Sequence, residues 1–513
     1  MSNDPAKTPV VVGVGQINDR PETPDKGLDP VALMSAALHK ADADAGHGWL
    51  ADCDSLSVIG QIAWPHLNPV AGKLTEMLGI HPAHVVETPP HGDSPTRLMS
   101  EAANRIARGE ATICAIVGGE ALRTAGQLKA AQAAADKPQP NTQRPDAQRP
   151  DALRDATHRV HKGYAQSYGL VVPTDVYPLY ENAGRAAYGQ TLAEGQEESG
   201  AIWSRFSEVA AANEAAWLRK PVSAAEVVTP SDTNRPIAFP YTKFQVANAS
   251  VNQGAGFLVT SLAEAERRGV PRERLIFIGH GAAAEEDKNF LKRDHYDRSP
   301  SLEVTIREAM KANGVTVAEL DYVELYSCFP CVPKMARRVL GWPVEKPATV
   351  FGGLTFGGGP IGNYMSHAVA SMVDVLRRER GNGVTRGLLF ANGGYATHNH
   401  AVLLSSEPPV LAFPQDFDRQ AVADAARGEV PEIAEDYTGP ANIESYTLHY
   451  DRDGSVRSGV IVARTPEGAR TLASIAPGDA DLIALLTDGS QEPVGLSGEV
   501  KKSAGQDLSV WSA

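Results

Sequence analysis

Cysteine is scarce. Four in 513 residues are too few for a disulfide framework, which points to a chain that folds without covalent staples in a reducing compartment. Long apolar runs are missing as well. No stretch approaches the ~20 residues needed to span a bilayer, and the N-terminus MSNDPAKTPVVVGVG lacks the basic and apolar segments of a secretory signal. The expected location is cytoplasmic. Positive charge is in deficit, with 48 Lys and Arg against 62 Asp and Glu and a formal net charge of -14. Nucleic-acid binding rests on phosphate neutralisation by Lys and Arg, so that balance argues against it, and an anionic ligand would need basic groups focused at its site. What remains is the composition of a globular protein with ample core, 42% hydrophobic and 21% charged, in a chain long enough for about two to four domains.

The first hundred or so residues alternate strand and helix. PVVVGVGQ reads as a buried strand, and the segment from Asp29 as a helix capped by that aspartate with Pro30 at its first position. DSLSVIG, HVVETPP and ATICAIVGGE are further strands around the helix SPTRLMSEAANRIARG; this order predicts parallel pairing with right-handed crossovers. From Arg123 to about His161 the near-repeat QRPDA-QRPDA, rich in Pro, Gln and charge, cannot bury a core and reads as a solvated excursion. Aromatic residues at helical spacing then predict the core of an inserted helical subdomain. The strand–helix rhythm returns from RLIFIGHGAA to the hairpin GLLFANGGYATHNHAVLLSS, in an order that repeats the first half and points to internal duplication.

The expected organisation is a first half over 1–122 and 162–255 with an inserted loop domain at about 123–235, a second half over 256–410, a linker at 411–439 and a β domain over 440–513. SYTLHY, SGVIVAR and RTLASI, separated by DRDG and TPEG turns, make the last unit an all-β, OB-like barrel. Acidic residues outnumber basic ones there, which disfavours nucleic acid and favours a packing or gating role. Cys328 and Cys331 form a C-x-x-C, but no second pair completes a zinc site, so they read as small apolar residues at a strand-to-helix junction.

One turn stands out. In PPHGDSPTRLMS a strand runs into a helix N-terminus, where amides and dipole stabilise an anion, yet Gly92 stands where a nucleophile would be mounted. His91, Asp93 and Ser94 read as turn formers, with Asp93 or Ser94 capping the helix. The alternative, Ser94 as nucleophile with His91 as base, suffers because adjacent loop residues rarely meet at attack geometry. His398 and His400 alternate onto one strand face, but no carboxylate motif accompanies them, so edge packing is expected and no metal.

Gly118-Gly119-Glu120, VNQGAG, ELYSCF, GGLTFGGGPIGNYMSHA and ANGGYATHNHA, in that order, resemble the landmark loops of the thiolase superfamily over residues 6 to 410. The sterol-carrier-protein thiolase branch is the closest in flavour, in particular the thiolase-like proteins of type 1 with an additional C-terminal domain. The resemblance implies a duplicated α/β fold of five layers, α-β-α-β-α, and a coenzyme A thioester as ligand with no tightly bound cofactor. It also implies where catalytic residues should lie. The nucleophilic cysteine falls on Gly92, the Asn or His of the next loop on Tyr326, the activating histidine on Gly359 and the acid/base cysteine on Ala391. All four are degenerate. Thiolysis through an acyl-cysteine needs a thiolate, a base and a proton shuttle, so thiolase activity of that kind is not expected.

The family's oxyanion hole uses backbone amides, which here would be those of Gly92 and Gly393. Tyr326, Tyr395 and His91 remain as candidate catalytic groups. The resemblance therefore implies an acyl-CoA-binding relative of the acyltransferases. The alternatives are a retro-aldolase-like C–C lyase on a β-hydroxyacyl-CoA, using tyrosines as some thiolase-like aldolases do, or a non-catalytic CoA-ester or lipid carrier. Family thiolases dimerise through the strand beside the nucleophile loop, here HVVET. Two prolines follow it and distort that edge, and the C-terminal domain offers a second way to cover it, so a monomer is favoured over a homodimer.

Overall fold

Val10, Val11 and Val12 are all fully buried, so the first strand, β1 (Pro9–Asn18), is covered on both faces. Side chains alternate across a strand. Val10 and Val12 accordingly join one hydrophobic cluster and Val11 another. The computed structural model describes residues 4–135, 163–383, 385–502 and 508–512; the QRPDA near-repeat lies outside them.

The strands of the first half are β1, β2 (Ser55–Ile59), β3 (His84–Thr88), β4 (Ile113–Ala121) and, after two short strands β5 (Pro236–Ala238) and β6 (Tyr241–Thr242), β7 (Asn252–Ser261). The second half supplies β8 (Ile276–Glu285), β9 (Tyr322–Leu325), β10 (Arg386–Gly393) and β11 (His398–Ser405). They form one sheet of order β3-β2-β4-β7-β1-β8-β11-β10-β9, joined at its middle by only two registered pairs, Val10 with Phe277 and Val11 with Ile276. Each half repeats one pattern. A parallel pair, β2–β4 or β9–β10, is followed by two antiparallel pairs, β4–β7–β1 or β10–β11–β8.

Helices fill the remaining layers. α1 (Pro30–Asp44) and α2 (Ala71–Leu78) lie on one outer face. Asp29 caps α1, its Oδ1 accepting from the Ala32 amide at 2.8 Å. α3 (Ser94–Ala107) packs between strands of both halves, and α4 (Leu122–Ala135) leads out of β4. The inserted helices α5 (Pro173–Ala187) and α6 (Leu192–Ala212) bury Tyr177, Tyr180, Trp203 and Phe206 in the main core. α7 (Pro300–Asn313) and α8 (Cys331–Leu340) cover the other outer face, and α9 (Tyr364–Glu379) lies beside α3 in the central layer. The result is the five-layer α-β-α-β-α thiolase arrangement.

The C-terminal domain begins with α10 (Gln420–Ala426). Strands β12 (Gly439–Tyr450), β13 (Val456–Arg464), β14 (Arg470–Ile475), β15 (Ser497–Lys502) and β16 (Ser509–Ser512) close a barrel in the order β12-β13-β14-β16-β15-β12, with β14–β16 parallel. This is the OB order. The domain is not all-β: α11 (Ala480–Thr487) crosses between β14 and β15, its Leu482 and Leu486 buried in the barrel core.

Three expected boundaries need correction. β7 runs unbroken through the division at 255–256, because it completes the first half of the sheet. The stretch 411–439 is not a free linker. Gln415 and Asn104 exchange two hydrogen bonds of 2.7 and 2.8 Å, and the Ala283 amide donates to the Phe417 carbonyl at 2.7 Å. The segment 123–161 begins as helix α4 rather than loop, since its alanine-rich start favours helix.

The barrel does not shield β3, because its docking surface is elsewhere. It packs on α5, where Asn182 donates to the Tyr446 carbonyl and Ser445 to the Leu179 carbonyl. Among the described residues β3 pairs only with β2, and Val85 is exposed on it. No helix of the described residues is long and apolar enough to cross a membrane.

Candidate functional site

The turn from β3 to α3 meets the β10–β11 hairpin. A Cβ built on Gly92 would collide with the Asn392 carbonyl oxygen and come within 2.5 Å of the Tyr326 hydroxyl. Glycine here is a consequence of close approach, and the volume of a nucleophilic side chain is already taken. A Cβ built on Gly393 would lie 3.1 Å from the Gly92 nitrogen and 3.0 Å from Asp93 Oδ1. The two backbones assigned to the oxyanion hole therefore do adjoin.

Asp93 sits at the N-cap of α3 but does not cap it. Its backbone is already helical, φ -87° and ψ -12°, and its side chain makes no cap bond, because an N-cap side chain reaches the N2 or N3 amide from an extended backbone. Ser94 Oγ donates to the Pro89 carbonyl at 3.3 Å. Asp93 is 3% exposed, and its Oδ1 has no hydrogen-bond partner. Burial raises its carboxyl pKa above the usual range, with nearby His398 pulling the other way.

The hairpin brings His398 to this carboxylate. His91, exposed, stacks a tilted ring 4.7 Å from the ring of buried His398. Burial and His398 both lower the His91 pKa. His398 Nδ1 faces Glu285 Oε1 at 3.4 Å, and Arg97 donates to the same oxygen at 3.2 Å. One ligand-type atom from each of His91, Asp93 and His398 lies within 4.8 Å of the others. The expectation of no metal rested on the lack of a carboxylate near His398, and Asp93 supplies one from 305 positions away. His400, two residues along the same strand, parts company with His398: its Nε2 lies 3.2 Å from Ser100 Oγ, and full burial drops its pKa to about 3.

Tyr326 and Tyr395 differ. Tyr326 is buried against Gly92 and edge-on to Tyr364, 5.6 Å between ring centroids. Burial raises its phenol pKa well above the ordinary value, so the hydroxyl keeps its proton at neutral pH. Tyr395 turns away. Its hydroxyl donates to the Val171 carbonyl at 2.8 Å and its ring packs edge-on against Phe290, so it braces the insert. Gly359 donates its amide to the Asn248 carbonyl at 2.9 Å, and Ala391 is fully buried opposite His400. Cys328 and Cys331 are buried free thiols, the first pushed up to about 12 by burial.

Sequence reasoning missed Asp93 and His398 as partners. The one available signal was that His91-Gly92-Asp93 and the Gly393–His398 turn both flank positions assigned to the same oxyanion hole.

Residues 420–505 match the family described as the thiolase-like protein type 1 additional C-terminal domain. That match starts at α10, ahead of the expected boundary at 440. Over its whole length the chain superimposes on all of a monomeric SCP2-thiolase-like protein type 1 from Mycobacterium smegmatis, with a TM-score of 0.81 and 28% identity. Human mitochondrial 3-ketoacyl-CoA thiolase, solved in complex with CoA, shares the fold over 78% of this chain and 99% of its own, with a TM-score of 0.56 and 13% identity. An acetyl-CoA acetyltransferase of Schizosaccharomyces pombe is 31% identical over 135 residues, 26% of this chain. The match spans about a third of that relative, 32% of its length.

Proposed function

For a chain of the thiolase superfamily that carries the type 1 additional C-terminal domain, we propose binding of an acyl-CoA thioester and handling of its carbonyl without an acyl-enzyme. The observation that carries this reading is the Gly92–Gly393 contact. The two backbones adjoin, which supports a role for their amides in polarising one oxygen, while the space for a side chain on Gly92 is closed by Tyr326 and Asn392. Side-chain loss removes a thiolate and leaves backbone donors untouched. The human relative solved with CoA supports the ligand class.

Calorimetry against CoA esters of graded acyl length tests it. Saturable binding of an ester that free CoA does not match, with no mass added to the protein in intact mass spectrometry, is the expected result. A covalent acyl adduct on the Pro89–Ser94 turn would sink it.

Tyr326 favours a second reading, the C–C lyase. A protonated phenol beside the oxyanion hole can donate to a carbonyl as a carbon–carbon bond breaks. Consumption of a β-hydroxyacyl-CoA by wild type, abolished in Tyr326→Phe, separates lyase from carrier. A monomer is the proposed state, supported by the monomeric mycobacterial relative. Sedimentation equilibrium showing twice the 54.5 kDa chain mass would overturn that.

A further inference from the structure

We propose that His91, Asp93 and His398 form a binding site for one divalent transition-metal ion, of the Zn2+ type, at the mouth of the Gly92 loop. Three observations converge on it. The residues offer two imidazole nitrogens and one carboxylate oxygen, the ligand set of many open zinc sites, and the three atoms lie within 4.8 Å of one another. Ligand atoms around such an ion sit about 3.3–3.6 Å apart in tetrahedral geometry, so small side-chain rotations close the set. Asp93 is 3% exposed and its Oδ1 is without a protein partner, a costly arrangement for a buried carboxylate. That oxygen lies near the root of the other ligand: it is 3.0 Å from the Cβ position built on Gly393, a position only 3.5 Å from His398 Cβ.

The surroundings have the features of a metal site. His398 Nδ1 lies 3.4 Å from Glu285 Oε1, the kind of carboxylate support that ligating histidines usually have. Exposed His91 provides the entry path. An ion held there, beside the adjoining Gly92 and Gly393 backbones, would supply Lewis-acid chemistry to a carbonyl oxygen.

The proposal goes beyond the thioester reading and does not depend on it, because metal binding is measured with no CoA ester present. The full-length protein is stripped with chelator and titrated with Zn2+ by calorimetry and with Co2+ by visible absorption. One equivalent per chain, with d–d bands of a four- or five-coordinate Co2+, is expected. Asp93→Asn and His398→Gln should weaken binding by about 100-fold and abolish the bands, by loss of a ligand outright rather than of an outer partner. His91→Ala changes an exposed residue, so it tests the site even if the buried variants fail to fold. It should lose at least about tenfold in affinity, while the surface control His81→Ala loses none. The proposal is overturned if Zn2+ binds no tighter than millimolar, or if the His91→Ala affinity and Co2+ spectrum match wild type.

Discussion

Glu120 and Glu324, in the five-layer body, are buried among neutral donors, whereas Glu198 and Glu444, where the inserted helices and barrel pack, are buried against arginines. The displacement runs in opposite directions. Burial lifts Glu120 to about 8, although the Ile62 and Ala63 amides donate to it. Burial likewise lifts Glu324 to about 7 despite the Tyr364 hydroxyl 2.6 Å away. Against the same cost of burial, Arg338 and its neighbours hold Glu198 down to about 2, and Arg470 lowers Glu444. Glu181 is likewise paired, with Lys334, at 2.5 Å with both side chains buried. One region locks its charges by pairing them. The other leaves Glu120 and Glu324 to neutral donors and Asp93 Oδ1 without a hydrogen-bond partner, and such groups are where ligands and protons can still act.

The sharpest way to break this contrast is to unpair a locked charge. Lys334→Met leaves Glu181 buried with only the Tyr241 hydroxyl, and should cost about 3–5 kcal/mol in chemical denaturation. A loss below about 1 kcal/mol would mean the pairs hold nothing together. Next comes the packed side of the open region. Gly92→Cys must displace Tyr326 or the Asn392 backbone, so about 1–3 kcal/mol of destabilisation is expected, with no acyl adduct from an acyl-CoA. Restored thiolysis would show that the volume was never closed.

The last test sharpens the comparison through pH, one unit at a time. Glu120 has a folded pKa of about 8 against 4.5 unfolded. Its stabilising, protonated form is therefore fully present below 4.5 and lost as pH rises through about 8. Wild type should lose about 1 kcal/mol of stability per pH unit across that window relative to Glu120→Gln. Parallel stability curves for the two proteins would refute the assignment.

Local chemistry was legible in sequence and remote encounters were not. The Asp29–Pro30 helix start, the β10–β11 hairpin and the barrel turns at DRDG and TPEG are written in adjacent residues, and the structure has each of them. Asp93 looked like a cap because position alone suggests one. Its helical backbone and its meeting with His398 depend on how two halves fold together, which no local pattern encodes. Tyr326 and Tyr395 looked equivalent as landmark tyrosines, yet one packs on Gly92 and the other is tied to Val171. The helix α11 was missed because its short apolar stretch, LIALL, reads equally well as a strand.

β5 and β6 extend the barrel sheet beyond β12, with His449 opposite Ala238 and the Phe239 amide donating to the Leu448 carbonyl at 2.8 Å. These two strands leave the ribosome long before the barrel they join. A gene fusion that transplanted residues 420–513 would carry the closed barrel and abandon its flanking ribbon, stripping β12 of a neighbour and exposing the face that rests on α5. The segment that sequence comparison picks out as a unit is thus smaller than the unit that evolution could move intact.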